Sequence, residues 1–99
     1  MSYYRKYSDR ECWFNEKDQL HREDGPAVEY VHGSKYWYNN GQLHRLDGPA
    51  IEYKYISKAW WINGNPYSKK QFPIAVIMFL LSCDKKAAGL IIGLFNNAV

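Results

Sequence analysis

Gln42-Leu-His-Arg-Leu-Asp-Gly-Pro-Ala50 restates Gln19-Leu-His-Arg-Glu-Asp-Gly-Pro-Ala27 with a single change, Leu46 for Glu23. His21 recurs as His44 and Gly25 as Gly48, both 23 residues on. The same offset carries Glu29 to Glu52, Tyr30 to Tyr53, Ser34 to Ser57, Lys35 to Lys58 and Trp37 to Trp60. Asn40-Gly41 returns as Asn63-Gly64. A fixed period in the twenties is the mark of a repeat array, in which one supersecondary unit stacks on the next. A third copy begins at Lys58-Ala-Trp-Trp-Ile-Asn-Gly64 and stops before a His-Arg pair is reached.

The unit reads as a hairpin. Tyr36-Trp37-Tyr38 is an aromatic strand centre, and Asn40-Gly41 predicts a type I′ turn, which needs positive φ at both central residues. Gln42 to Arg45 forms the returning strand, and Asp47-Gly48-Pro49 then breaks or bulges the ladder. Ala50 to Tyr55 alternates, with Ile51, Tyr53 and Tyr55 on one face and Glu52 and Lys54 on the other. In the first copy Asp18 stands at the position of Gly41, and Gly33 at that of Ile56, so those turns differ in detail. The expected fold class is α+β: an antiparallel meander of repeated β-hairpins with a 23-residue period, followed by one or two apolar C-terminal helices.

A chain of 99 residues suits one domain, 1–99. Residues 1–10 form a basic, aromatic arm or edge strand, 11–67 the hairpin repeats and 68–99 the helical segment. Ser68-Lys69-Lys70-Gln71 is a capping box with Tyr67 and Phe72 as its hydrophobic staple, although Pro73 fits badly in the turn after it. Residues 74–83 are apolar on every side, which predicts burial on every side. Asp84 is positioned to cap a second apolar helix from Ala87 to Phe95, in which Gly89 and Gly93 allow close backbone approach. One small sheet cannot cover both, so the chain is expected to form a homo-oligomer through Phe72, Ile77, Phe79, Leu80, Leu81, Gly89, Gly93 and Phe95. Neither run reaches the roughly 18–20 residues that span a bilayer, which places membrane association behind oligomerisation.

Nine tyrosines and four tryptophans in so short a chain suit strands and contact surfaces. The net charge of +3 is too mild for a duplex nucleic-acid binder. Cys12 and Cys83 make neither a disulfide framework nor a zinc spacing, and the N-terminus lacks an apolar leader. The expected location is the cytoplasm. Only His21, Arg22, Asp24, His44, Arg45 and Asp47, with Trp37 and Trp60 beside them, resemble a site. Adjacent strand residues diverge, so His44 and Arg45 do not converge on one reacting atom. Their presence in both copies fits a folding element: each Asp caps its own turn, and each Arg pairs with Glu29 or Glu52 or stacks on a ring. The alternative use is a repeated contact for a ligand or partner. No phosphate loop, nucleophile elbow or paired-carboxylate spacing occurs, so no enzyme, metal or cofactor is expected.

The ordered motif Leu-His-Arg-x-Asp-Gly-Pro-Ala, flanked by Trp and Asn-Gly, resembles a family of short hairpin repeats similar to the MORN repeat, found in tailed phages, giant viruses and some bacteria. The likeness covers roughly residues 11–72. It implies a twisted antiparallel sheet with a binding role, such as a viral accessory protein in the host cytoplasm that occupies or inhibits a host or defence-system macromolecule. Two further readings are a binder that sequesters a small nucleotide on an Arg/Trp/Tyr-lined surface and a membrane-associated accessory protein. Relatives of this type end in a short polar helix. Residues 74–95 depart from that pattern.

Overall fold

The computed structural model describes residues 3–55 and 57–82. Aromatic and β-branched runs separated by Gly, Asn and Asp make short strands and tight turns throughout. These strands are β1 (Tyr3–Lys6), β2 (Arg10–Phe14), β3 (Val28–Tyr30), β4 (Lys35–Tyr36), β5 (Tyr38–Asn39), β6 (Gln42–Leu43), β7 (Ile51–Glu52), β8 (Lys58–Ile62) and β9 (Asn65–Tyr67). Among the described residues one helix, α1 (Phe72–Leu81), follows. Seven strands form an antiparallel meander in the order β1-β2-β3-β4-β7-β8-β9, while β5 and β6 close a separate two-stranded tip. The result is a thin slab, 52 × 33 × 17 Å.

The register sorts side chains onto two faces. Cys12 sits opposite Val28, Val28 opposite Tyr36, Tyr36 opposite Ile51 and Ile51 opposite Ala59. Since side chains alternate, the neighbouring row lies on the other face: Glu11, Glu29, Lys35, Glu52 and Lys58. From Glu29 onward each carboxylate there faces an ammonium across the strands, the favourable order for a solvated face. The core is small, with Cys12, Val28, Ile51, Ile62 and Phe72 as its larger members. Ala27 and Ala50 are 0% exposed, and each is tied to a neighbouring strand through its backbone. Ala27 gives its N–H to the Tyr36 carbonyl and accepts from Trp13, and the Ala50 carbonyl accepts from Trp37.

The registers also show an inserted residue. Val28 and Ile51 are 23 residues apart, as are their partners Tyr36 and Ala59, yet the preceding pair, Cys12 and Tyr36, is 24 apart. The extra residue lies in the first tip. Asn15 Oδ1 gathers the N–H groups of Lys17 and Gln19, and Asp18 takes φ 61°. The second and third tips use Asn40-Gly41 (φ 50° and 82°) and Asn63-Gly64 (φ 48° and 79°), the positive angles a type I′ turn requires.

The structure corrects the expected ends of β7 and α1 and places the two Asp-Gly-Pro turns. The alternation from Ala50 to Tyr55 ends as a strand at Glu52, because the Tyr53 N–H turns to the Ser57 carbonyl and leaves Tyr55 82% exposed. Gly25 and Gly48 do not have positive φ, and both lie in bends whose reason is the close approach described below. The regular helix begins after the capping box. Ser68 Oγ accepts from the Gln71 N–H and Gln71 Oε1 from the Ser68 N–H, but Gln71 is the N-cap of α1. Pro73 therefore falls in the first turn, where its missing N–H would be unpaired anyway.

Residues 1–10 contribute an edge strand, with Tyr3 stacked on Phe14 and Tyr4 tilted against Trp13. At the opposite end α1 covers the last hairpin: Phe72 is buried 6.4 Å from Trp60, and Phe79 lies 5.2 Å from His44. Phe72 is thus covered within the chain and leaves nothing for a partner to bury. Ile74, Ile77 and Leu80 stay 48%, 43% and 56% exposed, so the sheet covers only one side of a helix that the sequence makes apolar all round. Ile56, Cys83, Asp84, Gly89, Gly93, Phe95 and the expected second helix lie outside the described residues.

Candidate functional site

Trp37 lies between β4 and β5 on the charged face, and the chain returns past it as Arg45. The Arg45 guanidinium sits 3.9 Å above the Trp37 ring. Its Nε donates to Asp47 Oδ1 at 2.9 Å, and one terminal nitrogen donates to the Pro49 carbonyl at 3.1 Å and to Glu52 Oε1 at 3.0 Å. Arg22 repeats the arrangement over Trp13, at 3.9 Å. It donates to Asp24 Oδ1 at 3.0 Å and the Pro26 carbonyl at 3.2 Å, with Glu29 at 3.6 Å. Asp24 and Asp47 hold the guanidinium, where the sequence led us to expect them to cap their own turns. The hydrogen bond from Arg45 holds the Asp47 carboxyl below its ordinary pKa.

The glycines belong to the same construction. A β-carbon on Gly48 would stand 2.8 Å from Arg45 Cζ, and one on Gly25 would stand 3.1 Å from Arg22 Cζ. Only a residue without Cβ lets the bend pass so close to a seated guanidinium. Proline follows because its carbonyl is the acceptor and its own nitrogen needs no partner.

The histidines point elsewhere, as strand alternation requires. His21 Nδ1 accepts the backbone N–H of Asn40 at 3.0 Å, and His44 Nδ1 accepts that of Asn63 at 3.1 Å. Each histidine ties its return strand to the turn of the following hairpin. Around it Gly41 N–H bonds the Leu20 carbonyl, Gly64 N–H bonds that of Leu43, and Arg22 and Arg45 N–H groups reach the Tyr38 and Trp61 carbonyls. An imidazole accepting at Nδ1 carries its proton on Nε2 and is neutral. Burial also lowers the pKa of His44 below its ordinary 6.5.

A cleft of about 650 Å³ runs between the two arginine stacks, lined by Arg22, Asp24, Trp37, His44, Arg45 and Asp47 among others. Seven of the eight residues expected to mark a site, all but Trp60, are therefore in or beside it; Trp60 packs on Phe72 instead. Their chemistry is already engaged. Both guanidiniums are paired, and Glu23, Asp24 and Asp47 add three carboxylates to the walls, a poor setting for a phosphate. Among the described residues no group of three His, Cys, Asp or Glu is placed to hold a metal, and no helix is long and apolar enough to cross a membrane.

The sequence comparison missed Trp13, which is offset from Trp37 by 24 residues. Allowing one inserted residue in the first tip would have found it. It also missed Asn40 and Asn63, whose contribution is a backbone N–H and leaves no side-chain signal. No family model, curated protein or solved structure matches the chain.

Proposed function

We propose that this protein is a non-catalytic binding module, a tandem of 23-residue hairpin repeats of MORN-like type that self-associates through its C-terminal helix and presents its sheet to another macromolecule. The observation that carries this reading is the outer stripe of α1. Ile74, Ile77 and Leu80 are about half exposed on a helix whose other side is already seated on Trp60 and His44. Half-wetting a large aliphatic side chain forgoes about 1 kcal/mol, so three together approach a sizeable part of a small domain's stability. A second copy supplies a matching stripe, and symmetric homo-oligomers are the commonest soluble assemblies. The His-Arg-Asp elements support a non-enzymatic reading, because their donors and acceptors are committed to one another and to the backbone. The resemblance to viral and bacterial hairpin repeats supports a partner of host origin.

Light scattering on the full chain in detergent-free buffer tests this. The expected mass is a multiple of 11.7 kDa that collapses to one copy in Ile77→Asp/Leu80→Asp. A monomeric mass for the unaltered chain refutes self-association, and material that needs detergent transfers the stripe to a membrane.

A further inference from the structure

The two open edges of the sheet are built differently, and the difference identifies where a partner docks. In β9, Asn65 pairs with Ile62 across the two-residue turn, so the next residue, Pro66, faces outward with its backbone. That edge offers no N–H at its centre, the usual protection against strand addition. The β1 edge has no such block. The Tyr7 N–H bonds the Arg10 carbonyl, which fixes the alternation: Arg5 and Tyr3 bond inward to β2, and Tyr4 and Lys6 turn N–H and C=O outward. Among the described residues nothing pairs with that edge.

Its side chains are cationic. Arg5 and Lys6 are exposed, and residues 3–11 hold Arg5, Lys6 and Arg10 against Asp9 and Glu11, with Glu11 opposite Lys6 in the register. Asp9 is taken by Arg10 at 2.9 Å, while Arg5 lies 5.6 Å from the Tyr3 ring and has no ion-pair partner among the described residues. A second copy of β1 would bring like charges together and is disfavoured. We propose that β1 accepts an extended acidic peptide segment of a partner protein as an added antiparallel or parallel strand. The backbone groups of Tyr4 and Lys6 would supply the hydrogen bonds, and the side chains of Arg5 and Lys6 would select carboxylates on the two faces. This rests on the binding role proposed above but uses the surface farthest in the sheet order from α1.

The test is a titration of the ¹⁵N-labelled full chain with a blocked peptide repeating Val-Val-Glu-Glu, whose successive glutamates fall on opposite faces of a strand, and with its valine–lysine counterpart. Expected are saturable shifts of the Tyr3–Lys6 and Arg10–Phe14 amides with the glutamate peptide alone, weaker as salt screens the pairing. Lys6→Pro removes one outward N–H and one charge, and should weaken binding about tenfold, beyond the effect of Lys6→Gln. Should Lys6→Pro lose its dispersed spectrum, Arg5→Glu/Lys6→Glu serves instead and should bind the lysine peptide in place of the glutamate one. Equal binding of both peptides to the unaltered chain, shifts mapping to another surface, or slow hydrogen exchange at Tyr4 and Lys6 in the free protein would each overturn the proposal. The oligomer mass is read on the same samples. Monomers that still bind the peptide refute only the assembly through α1, and oligomers that do not bind it refute only the β1 edge.

Discussion

Gly48→Ala isolates the reason for the Asp-Gly-Pro element. The new methyl would lie 2.8 Å from Arg45 Cζ and 3.1 Å from Nε, about 0.7 Å inside the optimal separation at the nearest atom. The tip of an arginine normally moves aside at little cost. Here it is held by the Trp37 ring, Asp47, Glu52 and the Pro49 carbonyl. Asp47 is 87% exposed, so its bond is worth a surface value of about 0.5 kcal/mol. The half-buried Glu52, the Pro49 carbonyl and the ring add about 1 kcal/mol each, setting a ceiling near roughly 3.5 kcal/mol. A sub-ångström displacement forfeits part of that, and we expect Gly48→Ala to cost about 1–2 kcal/mol. For a chain of this size that lowers Tm by about 5–15 °C. Gly25→Ala, whose methyl meets Arg22 at 3.1 Å, should cost about half as much. The decisive assay is a double-mutant cycle by urea denaturation. In an Arg45→Ala background Gly48→Ala should be neutral or stabilising by up to about 1 kcal/mol, because φ at 48 is not positive and alanine narrows the unfolded ensemble. An undiminished loss in that background would refute the close-approach reasoning and return the glycine to a backbone role.

Other outcomes follow from the same contacts. Because the His44 pKa is lowered by burial, its neutral form supports the fold fully above the ordinary 6.5, and that support is lost as pH falls through the lowered value. Urea midpoints should therefore drop on acidification by the worth of one hydrogen bond, about 1 kcal/mol, and less so in His44→Asn, whose amide oxygen can accept the Asn63 N–H without titrating. Gly64→Ala should cost about 1 kcal/mol through φ alone, since its methyl would meet Gln42 Nε2 at an ordinary 3.6 Å, and removing the Gln42 side chain should not rescue it in thermal melts. Phe72→Ala should cost about 3 kcal/mol and expose α1 to limited proteolysis before the sheet is cut, because Phe72 is the one buried side chain of the helix.

Local chemistry was the legible part. Asn-Gly announces positive φ and appears as read, and the reciprocal Ser68–Gln71 bonds form although the regular helix starts only after them. The antiparallel meander followed from short aromatic strands between such turns. What the residues hid were relations settled in three dimensions. Trp13 escaped because an inserted tip residue shifts the offset without disturbing the ring under Arg22. Tyr53 and Tyr55 kept a strand-like alternation although a turn at Tyr53–Ser57 had already ended the strand. Gly48 was read as a backbone device, the commoner reason for a glycine beside a proline, whereas its neighbour is the tip of a side chain. The candidate site was visible as a set of residues, but its bonds were not. Asp47 grips Arg45 and His44 takes a distant N–H, pairings that spacing alone leaves open.

The way the array ends explains why one helix carries two different faces. Tyr67 and Ser68 stand 23 residues after His44 and Arg45, so the last hairpin has neither the imidazole nor the guanidinium of its predecessors. Without them Trp60 would show an uncovered ring, and His44 would have solvent on its far side. Phe72 fills the first gap at 6.4 Å and Phe79 the second at 5.2 Å, one from each end of α1. Two aromatic contacts that far apart in sequence fix the rotation of the helix about its axis. At 3.6 residues per turn, the side of α1 that presents Phe72 and Phe79 cannot also present Ile77 and Leu80. A helix apolar on all sides must therefore expose a stripe once it has closed a sheet only two strands wide at its end. Exposure of Ile74, Ile77 and Leu80 is thus a geometric consequence of capping, and among the described residues it leaves an aliphatic stripe on the outer side of α1.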